Sequence, residues 1–396
     1  MTREEVFASC LQKVEQNNCL LLELATGFGK SKLAIDLVNH LCNTAFQGRE
    51  VRMLLLVAKR VHKQTWQDEF QKWGGIKANV ITECYESLHK HTGEVFDIVV
   101  LDECHHIGSE ERVRMLKSVK YSYMIGLSAT IPLKLKWWFN NNYHSEIISC
   151  NVVEAIDSDI LPEPTILLWP LEVENTRVSE TIEVNPKVKG QVYYGEYKEM
   201  WKCKKQKVHA ILKCTQKQKL IELDKMIDWA KGKAMSNPVM KQTWLYMCGK
   251  RLEFFADCKL PIIKLILHHL DKERTITFCK TIEQTEKLGS NCIHSKNKDA
   301  TIIYDSFNQK RINHITAVNI LNENANLVDC KYAIFTNLSS SETIQVQRIG
   351  RSLRHKSPVI VLPYYKGTRE EEIVQGMVEG FNKKCIKTIH SIQEIL

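Results

Sequence analysis

The sequence predicts an α/β protein built on two parallel sheets, with a basic helical insertion between them. Three observations carry this. Residues 1–150 alternate short apolar runs with helix-period stretches, the same alternation resumes over 261–396, and the intervening segment differs from both in charge and period. A parallel strand buried on both faces reads as a continuous apolar run, and such runs recur here at the spacing of strand–helix–strand units.

Taken in order, Leu20–Leu24 reads as a buried strand, followed by a helix from Lys30 to about Cys42. Val51–Val57 is a second strand and His62–Trp73 a helix; Val80–Thr82, Asp97–Asp102 and Tyr123–Ser128 complete the first sheet. Pro162 and Pro164 mark a boundary, and Thr165–Leu171 after them is the first strand of the second sheet, within a connection over 151–185. From Val192 to about Leu270 the pattern is helical, interrupted at Gly232 and near Pro238, with 186–260 as the insertion proper. Arg274–Phe278, Ala300–Tyr304, Thr316–Asn319, Tyr332–Phe335 and Val359–Leu362 read as strands of a second, smaller sheet over 261–396.

Composition narrows the function classes. At 44% apolar and 26% charged the chain is globular rather than disordered. No apolar run approaches the roughly 18 residues of a membrane-spanning helix, and the acidic start Met1-Thr2-Arg3-Glu4-Glu5 lacks the apolar core of a signal peptide. Fourteen cysteines are scattered without a Cys-x-x-Cys pair, which argues against a zinc site and for reduced thiols in a cytoplasmic setting, that of a host cell if the protein is viral. Of the 55 basic residues 17 lie between Pro186 and Leu260, against only 7 of the 46 acidic ones. The net charge of +9 therefore sits in the middle segment, as a polyanion-facing module requires, although a solvated helix face carries lysines too.

Ala25-Thr26-Gly27-Phe28-Gly29-Lys30-Ser31 joins a predicted strand to a predicted helix, the setting of a phosphate-binding loop. Glycines let backbone amides turn toward phosphates, Lys30 reaches the β and γ phosphates, and the Ser31 hydroxyl ligates Mg²⁺. The motif's usual first glycine is absent, Leu24 standing in its place. Some seventy residues on, the apolar strand 96–101 delivers Asp102 and Glu103 to the same sheet edge. One acid can hold the metal shell and the other polarise a water. Alone, an acidic pair after a strand is more often a helix cap. His105 and His106 lack partners at metal-ligand spacing and read as hydrogen-bonding groups that tie the acidic loop to neighbouring motifs. Far downstream, Gln347-Arg348-Ile349-Gly350-Arg351-Ser352-Leu353-Arg354 offers two arginines one helical turn apart, as an arginine finger and its neighbour need.

With these elements in order, the chain resembles the superfamily-two helicases and translocases. Gly27–Ser31 looks like motif I, Asp102-Glu103-Cys104-His105 like a DExH motif II, Ser128-Ala129-Thr130 like motif III and Gln347–Arg354 like motif VI. The form looks closest to phage UvsW-like and related viral or bacterial DNA-repair helicases. The resemblance implies two RecA-like parallel-sheet lobes and an ATPase that takes ATP and Mg²⁺. It implies that Thr26, Gly27, Phe28, Gly29, Lys30 and Ser31 cradle the nucleotide, that Ser31 and Asp102 hold the metal, and that Glu103 activates water. Gln347 and Arg351 would contact the γ-phosphate region, with Arg354 as the finger. Ser128, Ala129, Thr130 and Glu323 would couple hydrolysis to movement. Lys59, Arg60 and Thr82 resemble strand-tracking motifs of the first lobe; Phe278-Cys279-Lys280 and His294-Ser295-Lys296 resemble those of the second. The implied partners are nucleic acid, with DNA favoured, and accessory repair, replication or recombination proteins.

Two departures bear on mechanism. Arg3-Glu4-Glu5-Val6 lacks the glutamine with which the family reads adenine, and Asn322-Glu323-Asn324-Ala325-Asn326 lacks the glycine and final acid of motif V. In the basic segment, Trp201 is interleaved with Lys202, Lys204, Lys205 and Lys207, a pattern suited to phosphate neutralisation and base stacking. Trp229, Trp244 and Phe254-Phe255 fall at helical spacing and read as core. The expected activity is nucleic-acid-dependent ATP hydrolysis that drives movement along DNA and strand separation. A duplex translocase without unwinding and an ATP-gated binding module with slow hydrolysis are the alternatives.

Overall fold

A computed structural model describes residues 2–184, 197–202, 208–318, 327–339, 349–350, 353 and 355–395. Packing divides the chain into two units. One comprises Met1–Pro164, Leu321–Lys331 and Ser340–Pro358; the other Thr165–Ile320, Tyr332–Ser339 and Val359–Leu396.

The first unit opens with α1 (Arg3–Gln16), set by a capping box in which the Thr2 hydroxyl accepts from the Glu5 amide and the Glu5 carboxylate accepts from the Thr2 amide. Strand β1 (Cys19–Leu24) follows, then α2 (Lys30–Asn43), β2 (Arg52–Val57), α3 (Arg60–Lys72) and β3 (Asn79–Cys84). After them come β4 (Val95–Asp102), α4 (Glu110–Ser118), β5 (Lys120–Ser128), α5 (Leu133–Tyr143), β6 (Glu146–Cys150) and α6 (Val152–Asp157). The sheet runs β3-β2-β4-β5-β1-β6 with every pair parallel. Its central strands are nearly all apolar, and Leu20, Leu21, Leu22, Leu54, Leu55, Ile98, Val99 and Met124 are wholly buried. Register then decides the chemistry. Glu23 of β1 pairs with Ser128 of β5, and Asp102 of β4 with Leu127 of β5, so three motif-bearing strands end at one edge.

The second unit begins with β7 (Thr165–Leu171), β8 (Glu180–Val184), β9 (Tyr197–Lys202) and β10 (Val208–Cys214), then α7 (Gln216–Ala234) and α8 (Pro238–His269). It continues through β11 (Thr275–Phe278), α9 (Ile282–Leu288), β12 (Cys292–Ile293), α10 (Ala300–Asn308) and β13 (His314–Ala317). The last elements are β14 (Tyr332–Phe335), β15 (Val359–Tyr365), α11 (Arg369–Val378) and β16 (Ile386–Thr388). Seven strands form a parallel sheet in the order β12-β13-β11-β14-β15-β7-β16. Helix α8 covers it through Ile263, Ile266 and Leu267 against Tyr332, Ile334 and Val361.

Two expectations are corrected here. The basic segment is not helical throughout: β8, β10 and β9 form a separate antiparallel sheet before α7 begins. The cause is a period of two, seen at buried Leu212 and Cys214 flanking exposed Lys213, which seats one face on Leu220, Leu223, Phe254 and Phe255. Ala300–Tyr304 is not a strand but the first part of α10, whose Phe307 is buried one face away from exposed Ile302. Its β-branched run suggested a strand, and tertiary packing overrode that preference. Among the aromatics, Phe254 and Phe255 are core, Trp244 is half-buried, and Trp229 stands 59% exposed on α7.

A fully buried ion pair anchors α8. Lys259 donates to Glu370 at 2.6 Å and to the Thr336 carbonyl at 3.2 Å, while the second Glu370 oxygen accepts from the Tyr365 amide at 3.1 Å. Burial pushes the Glu370 carboxyl up and the Lys259 ammonium down from their usual ranges, against the attraction between them. No helix among the described residues is long and apolar enough to cross a membrane.

Candidate active site

The turn after β1 is shaped by its glycines. Gly27 and Gly29 lie at φ 96° and 104°, a left-handed backbone that other residues adopt only with strain, and Gly29 is the N-terminal cap of α2. The helix thus opens on Lys30 and Ser31 with its amides at the loop, an arrangement suited to an anion. The Lys30 ammonium donates to the Leu24 carbonyl at 3.0 Å. A cavity of about 690 Å³ joins Thr26, Gly27, Phe28, Gly29, Lys30 and Ser31 to Asp102 and Glu103.

Both carboxylates are buried, at 6% and 5% exposure, and each is held differently. Trp66 of α3 donates its indole N–H to Asp102 Oδ2 at 2.8 Å, and the Tyr85 hydroxyl donates to the Asp102 backbone carbonyl at 2.9 Å. Burial raises the Tyr85 phenol well above its ordinary range, so it remains a donor. Glu103 sits at φ 51°, a conformation costing a non-glycine residue about 1–2 kcal/mol. Ser128 Oγ lies 3.4 Å from Glu103 Oε2, 3.0 Å from His105 Nδ1 and 2.7 Å from the Thr130 carbonyl, to which it donates. His105 Nδ1 is also 3.4 Å from Glu103. The histidine after the acidic pair therefore joins that loop to Ser128-Ala129-Thr130. No group of three His, Cys, Asp or Glu side chains among the described residues forms a metal cage.

Glu23 was not foreseen. Its carboxylate accepts from the Ile131 amide at 2.7 Å and from the Lys136 ammonium at 2.5 Å, fastening the turn after β5 to β1. A lone acid in the run Leu20-Leu21-Leu22-Glu23-Leu24 was the available signal. Trp66 and Tyr85 were missed as well, because their partner is chosen by the adjacency of β2 and β4.

The other expected residues are dispersed. Lys59 caps α3 and is exposed with Arg60; Thr82 is half-buried within β3. In the second unit Lys280 follows β11, where its amide donates to the Gln284 side chain, and Ser295 and Lys296 are exposed after β12. Lys202 ends β9. Lys204, Lys205, Lys207, Glu323, Gln347, Arg351 and Arg354 lie outside the described residues. Within that last motif Gly350 is described, and it packs on the phosphate loop of its own unit. A Cβ there would fall 2.6 Å from Thr26 Cβ and 2.9 Å from its carbonyl oxygen, so only glycine fits. Val6, where the glutamine is missing, is fully buried in α1, while Arg3 and Phe7 line the cavity.

Two parallel sheets, a glycine-shaped loop opening a helix and a paired acid at the same strand edge are the arrangement of a nucleotide-binding α/β domain. Residues 2–94 and 85–133 match the family described as Type III restriction enzyme, res subunit, and residues 258–356 match the Helicase conserved C-terminal domain. Over these stretches the chain is similar to the superfamily-two helicases, a class of nucleic-acid-dependent ATPases. Among solved structures it is similar to the ATP-dependent Type ISP restriction-modification enzyme LlaBIII bound to DNA, with TM-score 0.60 and 13% identity over 99% of this chain. It spans 31% of that enzyme's length. It is also similar to a S. cerevisiae Dbp5 variant bound to RNA and ADP BeF3, with TM-score 0.60 and 11% identity over 99% of this chain and 91% of the other. The Pyrococcus furiosus Hef helicase domain aligns at TM-score 0.50 and 16% identity over 94% and 97%. No curated protein matches the chain.

Proposed function

We propose that this ATPase is a motor that moves along DNA and separates or remodels its strands. The observation that carries the reading is the hydrogen-bonded path from Glu103 through Ser128 to Thr130, rooted in the cavity that also holds Lys30. Lys30 meets the β and γ phosphates of ATP, and Glu103 takes the proton of the attacking water. Gln347 and Arg351 contact the γ-phosphate region, and Arg354 offsets charge in the transition state. Ser31 and Asp102 are hard oxygen donors in one cavity, the set that Mg²⁺ prefers. Ser31 and Asp102 would hold Mg²⁺ there, and the ion would offset the negative charge of the phosphates. Proton transfer to Glu103 turns it from an acceptor into a donor toward Ser128 Oγ, which changes the contacts of the loop of Ser128, Ala129 and Thr130 and passes the event on, with Glu323 in the same relay.

Lys59, Arg60, Thr82, Lys280, Ser295 and Lys296 grip the phosphate backbone, so selectivity for base sequence is weak. Lys202, Lys204, Lys205 and Lys207 add charge. Next to them in the chain, α7 and α8 expose Trp229 and Tyr246 among Lys225, Lys231, Lys233 and Lys241, a surface that suits unpaired bases. That two structural neighbours are bound to DNA or RNA accords with this reading. DNA, and a role beside repair, replication or recombination proteins, follow the UvsW-like resemblance. The altered motif at Asn322–Asn326 favours a second reading, an ATP-gated binding module that turns over slowly. ATP turnover against single-stranded, duplex, forked and RNA cofactors tests both, and strand displacement separates unwinding from duplex translocation. Turnover unchanged by every nucleic acid would overturn the motor.

A further inference from the structure

Resting on the ATPase reading above, we propose that Trp66 is a positioning residue for the metal-binding carboxylate, its indole N–H holding Asp102 in the orientation that receives Mg²⁺. Trp66 is 3% exposed, and its Nε1 lies 2.8 Å from Asp102 Oδ2 in a buried contact. An indole is a donor only, so it always presents a hydrogen to whatever acceptor it meets. It carries no charge, where a lysine in its place would compete with the metal. The ring is itself fixed: Phe70, one helical turn along α3, packs at 5.6 Å between centroids and 49° between planes. Tyr85 holds the backbone of Asp102 from another element, so side chain and main chain are restrained independently. The contact on Oδ2 restrains rotation of the carboxylate about its own axis. That matters for Mg²⁺, which demands near-ideal octahedral geometry and is held by few protein ligands. Trp66 and Asp102 line the same cavity as Ser31.

Groups that orient a metal ligand are worth about 10–100-fold in metal affinity. Trp66→Phe keeps a buried ring and removes the donor. ADP binding to the full chain, followed by calorimetry, is expected to stay within about twofold of the parent in EDTA. The gain in affinity on adding Mg²⁺ should shrink about tenfold. The Mg²⁺ concentration for half-maximal ATP turnover should rise by a similar factor, with the rate recovering at excess Mg²⁺. Phe70→Leu, which loosens the packing on the ring but keeps the donor, should shrink the Mg²⁺ response less than Trp66→Phe does. A parental Mg²⁺ response in Trp66→Phe, or equal loss of ADP binding with and without Mg²⁺, overturns the assignment. If Trp66→Phe does not fold, the unsubstituted protein still decides. One indole N–H resonance among its eight tryptophans should move on adding Mg²⁺ and ADP but not ADP with EDTA, and no movement overturns the assignment. If the unsubstituted protein binds no nucleotide at all, the ATPase reading itself falls, and this inference with it.

Discussion

Lys30, Glu103 and Arg354 should fail differently when replaced, because the roles proposed for them fall on different parts of the reaction. Lys30→Ala removes the charge that meets the phosphates. Turnover is expected to fall at least about a hundredfold, with weaker nucleotide binding visible in a direct titration. Glu103→Gln keeps the shape of a side chain buried beside Ser128 and His105 but cannot take a proton. ATP should therefore still bind while steady-state hydrolysis drops by about 10² or more. Arg354→Ala should spare affinity and lower the rate by about 10³, since a finger acts on the transition state. Normal hydrolysis by that variant would show that Arg354 and the phosphate loop do not share a nucleotide. The buried donors Trp66 and Tyr85, both on Asp102, show why this scale exceeds the motif itself: a buried carboxylate needs partners that hold it still.

At the scale of elements, the basic segment behaves as two devices. An antiparallel sheet includes Lys202 at the end of β9, and the helices α7 and α8 carry exposed aromatics. Replacing Lys202, Lys204, Lys205 and Lys207 by glutamine should weaken binding and lower the salt slope, by about 0.9 per lost phosphate contact on duplex DNA. An unchanged slope in a fluorescence anisotropy series would take these lysines out of the interface. Trp229→Ala should instead weaken single-stranded binding by about 1–3 kcal/mol with little change in slope, because stacking releases no counterions. The close approach of Gly350 to Thr26 belongs to this scale too. Gly350→Ala should cost about 1–3 kcal/mol of local packing and slow turnover more than it weakens ATP binding, as read from kcat and KM.

For the molecule as a whole, the buried pair Lys259–Glu370 ties the long helix α8 to α11 and to the strand ends at Thr336 and Tyr365. Lys259→Met alone strands a buried carboxylate and should cost about 3–5 kcal/mol in urea unfolding, whereas Lys259→Met with Glu370→Leu should recover most of it. A single substitution as damaging as the double would mean that the helix depends on shape and not on charge. Helix α8 also contains Pro261, which withdraws one backbone donor inside the helix, so its hold on the sheet through Ile263, Ile266 and Leu267 must offset that loss.

The residues themselves determined a good deal. Continuous apolar runs at β1, β2 and β4 announced a doubly covered parallel sheet, because a strand buried on both faces has no polar positions to show. Gly27–Ser31 and Asp102-Glu103 could be picked out as one candidate site, which the fold gathers on one cavity, since a glycine-rich loop and a strand-end acid are local arrangements whose form is carried by neighbouring residues. The fold alone decided the rest. Whether Val208–Cys214 became helix or strand depended on which core lay beneath it, and whether Ala300–Tyr304 became strand or helix depended on what Phe307 could bury. Trp66 meeting Asp102, and Glu23 meeting Ile131, depend on parallel strand order, which brings residues 36 and 108 positions apart within hydrogen-bond reach. Local pattern is written in adjacent side chains; partnership across a sheet is set only when the strands choose their neighbours.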